Sequence, residues 1–90
     1  MVDPEDVRIE FPCEDYPIKI VGEAAVSFRE HVFTMVERHA PGFDSERMEI
    51  RDSKNGTYQS ITLYIRATGV EQLSALNTDL RTNRLVKMVL

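Results

Sequence analysis

The chain has 90 residues, of which 42% are hydrophobic and 29% charged, with a net charge of −4 at pH 7 and a single cysteine. These values are typical of one globular domain. They exclude an internal disulfide and any apolar run near the ~20 residues of a transmembrane helix. The lone cysteine and the acidic start, which is the opposite of a signal peptide, favour a cytoplasmic protein.

The negative charge is concentrated at the N-terminus. Residues 1–15 carry six acidic side chains and one basic side chain, whereas residues 16–90 carry nine acidic and ten basic ones. We predict an acidic, mobile arm over residues 1–14 and one domain over residues 15–90. Because this domain is almost neutral, it lacks the basic surface that drives strong binding to nucleic acid.

The first half of the domain predicts a strand and a helix. Apolar residues alternate over residues 16–21, and Gly22 permits a tight turn after this strand. Over residues 24–39, apolar side chains recur at spacings of three and four, which predicts a helix that ends at Pro41 and Gly42. Its buried stripe contains Ala25, Phe28, Val32, Met35, Val36 and His39.

Residues 47–53 and 58–67 predict two strands joined by a hairpin. Apolar and polar residues alternate in both, and Ile50 points inward in the first. The Asn55-Gly56 pair between them is the strongest local signal for a hairpin, because a type I′ turn needs positive φ at both central residues.

The remainder predicts a second helix and a last strand. Thr68 and Glu71 match a capping box, in which each residue caps the other at the start of a helix that runs to about residue 82. Residues 85–90 then form the final strand. The apolar stripe of this helix contains Val70, Leu73, Leu76 and Leu80.

The element order β, α, β, β, α, β predicts an α+β, ferredoxin-like fold. The crossover rule favours a four-stranded antiparallel sheet in the order 4-1-3-2, and both single-striped helices share one of its faces. Strand two then lies at an edge, where unpaired backbone groups invite pairing and a possible homodimer.

The domain resembles the YbeD-like family of small bacterial proteins of unknown function. The resemblance rests on short segments spread over residues 10–90: Phe11-Pro12, Tyr16-Pro17-Ile18-Lys19 with Gly22, Arg38-His39-Ala40-Pro41, Ser53 with Asn55-Gly56, Ser60, Thr68, Glu71-Gln72-Leu73 and Val86-Lys87-Met88-Val89-Leu90. It implies a fold similar to ACT domains, which are amino-acid-sensing regulatory modules. ACT-type ligand sites follow strand one, and the matching positions are Gly22, Glu23 and Ala24.

No residue pattern predicts catalysis. His31 and His39 are separated by about 12 Å of helix, so they do not chelate one metal ion. Cys13 stands beside Glu14 and Asp15, whose charges disfavour a reactive thiolate. A phosphate-binding loop is absent. We therefore expect no enzymatic activity, no metal and no cofactor.

The uncovered sheet face is the candidate interaction surface. Its expected charge is +3, and Tyr58 and Tyr64 stand about 20 Å apart, too far for one RNA-stacking platform. Three interpretations remain open: a solvated face, a protein interface or an RNA-binding surface. The face is predicted to show Lys19, Val21, Glu49, Arg51, Tyr58, Ser60, Thr62, Tyr64, Arg66, Lys87 and Val89, of which Lys19, Arg51, Tyr64, Arg66 and Lys87 are the candidate contact residues.

The sequence therefore favours a non-enzymatic regulatory or adaptor module. We expect it to act through an unknown protein partner and, by the family resemblance, to sense a small metabolite. An RNA-binding domain that uses Tyr64 and Arg66 is the first alternative. A small enzyme that uses Cys13 or His39 is the second.

Overall fold

The computed structural model describes residues 12–90, so residues 1–11 of the predicted arm lie outside the described residues. Because the first strand begins at Cys13, the predicted boundary after residue 14 falls inside it. The elements are β1 Cys13–Glu23, α1 Val26–His39, a 3₁₀ turn Ser45–Arg47, β2 Glu49–Asp52, β3 Tyr58–Ala67, α2 Val70–Leu80 and β4 Val86–Val89.

The sheet confirms the predicted topology. Its strands are all antiparallel and lie in the order β2-β3-β1-β4, which is the predicted order read from the opposite edge. The buried residues of β1 and β3 alternate along the strands, and both helices pack on this one side. The central core contains Ile18, Ile20, Phe28, Val32, Val36, Ile61, Leu63, Ile65, Leu76 and Leu80.

The hairpin between β2 and β3 forms where the Asn-Gly pair predicts it, but the turn type differs. Among the described residues only glycines have positive φ, so Asn55 does not take the type I′ conformation. The Gly56 amide donates to the Ser53 carbonyl at 2.9 Å, and Ser53 pairs with Tyr58 across the loop. The result is a four-residue loop with Gly56 alone at positive φ.

Gly22 does not make the predicted turn, because β1 continues through it to Glu23. A Cβ atom at this position would lie 2.5 Å from the Leu85 carbonyl oxygen and would collide with the Phe28 ring. A glycine is therefore required by close packing against α1 and the segment before β4, rather than by backbone conformation.

The predicted capping box between Thr68 and Glu71 is wrong. Gly69 is the N-cap of α2, one residue later than the box requires, and no side chain caps the helix there. This shift brings Gln72 to the third helical position, from which its Oε1 accepts the Thr68 amide at 2.7 Å.

The predicted orientation of β4 is partly wrong. Val89, which was predicted on the open face, pairs with Ile20 and faces the helices. Met88 pairs with Val21 and lies on the open face instead. The register of β4 shifts at this point, so Lys87 stands at an irregularity between the paired residues.

Two residues of the predicted apolar stripes are exposed. Val70, the first residue of α2, is 70% exposed because it precedes the part of the helix that covers the sheet. Ile50 points to the helix side as predicted, opposite Ile61, yet it is 39% exposed because β2 is an edge strand.

Candidate functional site

The predicted ligand site, Gly22, Glu23 and Ala24, lies at the end of β1, where two of its backbone amides are hydrogen-bonded within the protein. The Glu23 amide donates to the Leu85 carbonyl at 2.9 Å, and the Ala24 amide donates to the Thr57 carbonyl at 3.0 Å. Gly22 itself is buried. Ligand binding at these three positions stays a prediction, and only a ligand that uses one of these two amides would have to replace its present partner.

A buried glutamine, Gln59, lies opposite Gly22 at the same end of the sheet. Gln59 faces the helices, where its Oε1 accepts from Arg29 Nη1 at 3.0 Å and its Nε2 donates to Asp52 Oδ1 at 2.8 Å. Because Arg29 belongs to α1 and Asp52 to β2, this chain of bonds places one flank of α1 beside the edge strand. Phe33 stands one turn after Arg29 on that flank and is 45% exposed.

The open sheet face is much less basic than the sequence predicts. Three of the four predicted basic residues there are in ion pairs, and two of these pairs use acidic residues outside the predicted set. Lys19 makes no ion pair with another residue between Pro12 and Leu90. The pairs are Arg51–Glu49 at 2.6 Å, Arg66–Glu14 at 3.1 Å and Lys87–Glu23 at 3.8 Å.

A β-bulge near the start of β1 places two consecutive carboxylates beside two arginines. The register between β1 and β3 shifts between Cys13 and Tyr16, so Glu14 and Asp15 both stand opposite the residue Arg66. Glu14 binds Arg66, and Asp15 Oδ1 accepts from Arg47 Nη1 at 2.7 Å.

Arg47 also stacks on an aromatic ring. Its guanidinium carbon lies 4.2 Å from the centre of the Tyr64 ring, a cation–π contact. Glu49 pairs with Thr62, so continuing the same register by two residues brings Arg47 opposite Tyr64. The ring that the RNA hypothesis needs for stacking is therefore already covered by an arginine.

These groups line a cleft, which we call the arginine cleft. It has a volume of about 470 Å³ and lies between the start of β1, the end of β3 and the segment that joins α1 to β2. Its lining consists of Glu14, Asp15, His39, Ala40, Pro41, Gly42, Phe43, Asp44, Arg47, Tyr64, Arg66, Thr68 and Gln72.

His39 forms a structural link at the wall of this cleft. Its Nε2 lies 2.6 Å from Asp79 Oδ2 on α2, and its carbonyl accepts from Gln72 Nε2 at 2.8 Å. In residues 12–90, no hydroxyl or thiol is hydrogen-bonded to its ring, and no three metal-binding side chains cluster together. The arrangement ties α1 to α2.

Sequence reasoning missed Asp15, Arg47 and Asp79 as partners. The register of the β2–β3 hairpin is sufficient to predict the Arg47–Tyr64 contact. Extending that register two residues before β2 places Arg47 opposite Tyr64. The ion pairs of Glu14 with Arg66 and of Asp15 with Arg47 depend on a β-bulge that no local sequence pattern predicts.

The edge strand β2 is the second candidate site. All four of its residues are exposed, and its only strand partner in the described chain is β3. Glu49 and Arg51 project from the open face, whereas Ile50 projects from the helix side. The opposite edge of the strand therefore presents backbone groups that no strand of the described residues pairs.

No helix among residues 12–90 has the length and apolar character needed to cross a membrane. Two comparisons with solved structures reproduce the fold. The solution structure of protein HP0495 from H. pylori has a TM-score of 0.71 at 15% identity and covers 98% of this chain and 91% of that one. The ACT domain from GTP pyrophosphokinase of Chlorobium tepidum has a TM-score of 0.58 at 23% identity and covers 84% of this chain and 96% of that one.

Sequence comparisons identify much closer relatives. A UPF0250 protein from Azotobacter vinelandii is 49% identical over 88 residues, which are 98% of this chain and 96% of that protein. A UPF0250 protein from Pseudomonas aeruginosa is 46% identical over the full length of both chains. Residues 6–90 match the family model described as protein of unknown function, DUF493. These matches confirm the predicted family resemblance, and the chain belongs to the DUF493 family.

Proposed function

We propose that this protein is a non-enzymatic regulatory or adaptor module that acts through protein contact, and that it first pairs with a second copy of itself through β2. The observation that carries the proposal is the outer edge of β2, which no other strand within residues 12–90 covers and whose sequence is complementary to itself. A two-fold axis perpendicular to the sheet would join two four-stranded sheets into one of eight strands.

The complementarity follows from antiparallel pairing centred on Ile50. In that register Glu49 faces the partner's Arg51, and Arg51 faces the partner's Glu49, so opposite charges meet on the open face. Ile50 faces its own copy on the helix side, where 39% of its surface is now exposed. One short strand thus supplies both ionic and apolar contacts.

The flank of α1 extends this surface. Phe33 lies on the flank that Arg29 and Gln59 direct toward β2, and its ring packs edge-on against Phe43 with centroids 5.4 Å apart. Pairing of β2 strands would bring the two α1 flanks together and cover Phe33. Aromatic side chains at such positions supply much of the contact energy in protein interfaces.

The regulatory part of the proposal is supported by one of the two fold neighbours, which is the ACT domain from GTP pyrophosphokinase of Chlorobium tepidum. This support is an analogy of fold. The ion pairs on the open face and the Arg47–Tyr64 stack favour protein contact over RNA binding. The single cysteine supports a reducing, cytoplasmic location.

Sedimentation velocity of the wild-type chain, Ile50→Lys and Val70→Lys tests the pairing. Ile50→Lys should yield monomers, because two lysines would meet at the two-fold axis. Val70→Lys is the matched control, since Val70 is exposed on α2 away from β2, and it should dimerise like the wild-type protein. A monomeric wild-type protein, or equal dimerisation of both variants, contradicts the proposal.

A further inference from the structure

We infer that the arginine cleft binds a small carboxylate ligand, held by Arg47 and Arg66. The inference stands apart from the pairing of β2, because it rests on the arginines that meet the bulge in β1. It assigns a ligand class to a cavity at the end of β1 opposite to Gly22.

Arg47 is held in place before any ligand arrives. The Tyr64 ring supports one face of its guanidinium group, and Asp15 contacts only Nη1 among its nitrogens. A guanidinium group has five N–H donors in a fork that matches a carboxylate, so Arg47 retains donors for a second, bidentate partner. An ordered fork loses less conformational entropy on binding than a mobile one.

Arg66 is also only partly used. Its Nε is the atom paired with Glu14, so its terminal nitrogens remain for a ligand. Both arginines therefore present donors to the same cleft, one from β3 and one from the turn before β2.

The protein's own carboxylates are exchangeable partners. The side chains of Glu14 and Asp15 are 71% and 68% exposed, so both ion pairs are surface pairs. Such solvent-exposed pairs contribute little to stability. An incoming carboxylate therefore replaces them at little cost, and the released side chains return to water.

The size and walls of the cleft restrict the ligand. Its volume of about 470 Å³ lies within the range of small-molecule sites, and Ala40, Pro41 and Phe43 provide an apolar wall. Glu14, Asp15 and Asp44 outnumber the two arginines, which disfavours a highly charged phosphate. A carboxylate on a short apolar body fits this combination.

Titration of the isotopically labelled protein with butyrate, followed by NMR, tests the inference. Butyrate should shift the amide signals of Gly42, Tyr64 and Arg66 saturably. Arg47→Ala and Arg66→Ala should weaken binding about tenfold or more, because each removes charge-assisted hydrogen bonds. Arg47→Lys, which keeps the charge but loses the fork, should weaken it too.

Two controls make the result decisive. Arg81→Ala removes the same charge from the C-terminal end of α2, outside the cleft, and this variant should bind butyrate with an affinity within about twofold of the wild-type value. Asp15→Asn should tighten binding, because it removes the competitor for Arg47.

No saturable shift, equal weakening by Arg81→Ala, equal binding of inorganic phosphate, or weaker binding by Asp15→Asn would each overturn the inference. The same variants measured by sedimentation separate it from the pairing of β2, which the loss of Arg66 should leave unchanged.

Discussion

The absence of a side chain at Gly22 allows α1 and the segment before β4 to pack closely against the sheet. The space where its side chain would stand is filled by the Phe28 ring and the Leu85 carbonyl oxygen. Both neighbours are buried or part of the backbone, so neither moves away without disturbing the core.

Gly22→Ala should therefore lower the free energy of unfolding by about 1–3 kcal/mol through overpacking. Gly69→Ala is the matched control, because a Cβ atom added to Gly69 would meet no atom within 4 Å and its φ of 170° is extended. That change should stay within about 0.5 kcal/mol of the wild-type value. Urea denaturation of both variants measures the difference, and equal stability would refute the packing role of Gly22.

Gln72 connects three backbone groups through one side chain. It accepts from the Thr68 amide and donates to the carbonyls of His39 and Arg66. Gln72→Ala should lower the free energy of unfolding by about 1–2 kcal/mol, since these groups lose partners. Glu71→Ala should change it by about 0.5 kcal/mol or less, because Glu71 forms no cap. Thermal unfolding of the two variants measures these losses. A larger loss for Glu71→Ala than for Gln72→Ala would contradict this account and support the predicted capping box.

Strands differ in how strongly their sequences determine which face each residue takes. β3 alternates over ten residues, so its orientation and its partners in the core were predictable. β4 has apolar residues at adjacent positions, so apolar–polar alternation does not show which of its residues face the helices. The register shift beside Lys87 determines which residues do. The arginine cleft was unpredictable for a similar reason, because it depends on a bulge and on residues distant in sequence.

The orientation of β4 is testable by one pair of variants. Val89→Lys should lower the free energy of unfolding by about 1 kcal/mol or more, because Val89 faces the helices and packs against the core. Met88→Lys should stay within about 0.5 kcal/mol, since Met88 is exposed on the open face. Chemical denaturation provides the comparison, and a larger loss for Met88→Lys would favour the opposite orientation, with Val89 on the open face.

At the scale of the whole molecule, ion pairs neutralise much of the open face, while the outer edge of β2 is not covered by any strand within residues 12–90. Three of the four basic residues that strand alternation predicts on this face are paired with Glu14, Glu23 or Glu49. Among residues 12–90, the surface proposed for protein contact is this short strand and the flank of α1 beside it.

The central claim, pairing through β2 in a register centred on Ile50, is tested most directly by a charge exchange followed by sedimentation velocity. Glu49→Arg places arginine opposite the partner's Arg51 on both sides of the axis, so it should shift the protein toward monomer. Combining it with Arg51→Glu restores opposite charges in the same register, and the double variant should dimerise again. If the single variant dimerises as well as the wild-type protein, or if the double variant remains monomeric, the account of β2 as the contact strand is contradicted.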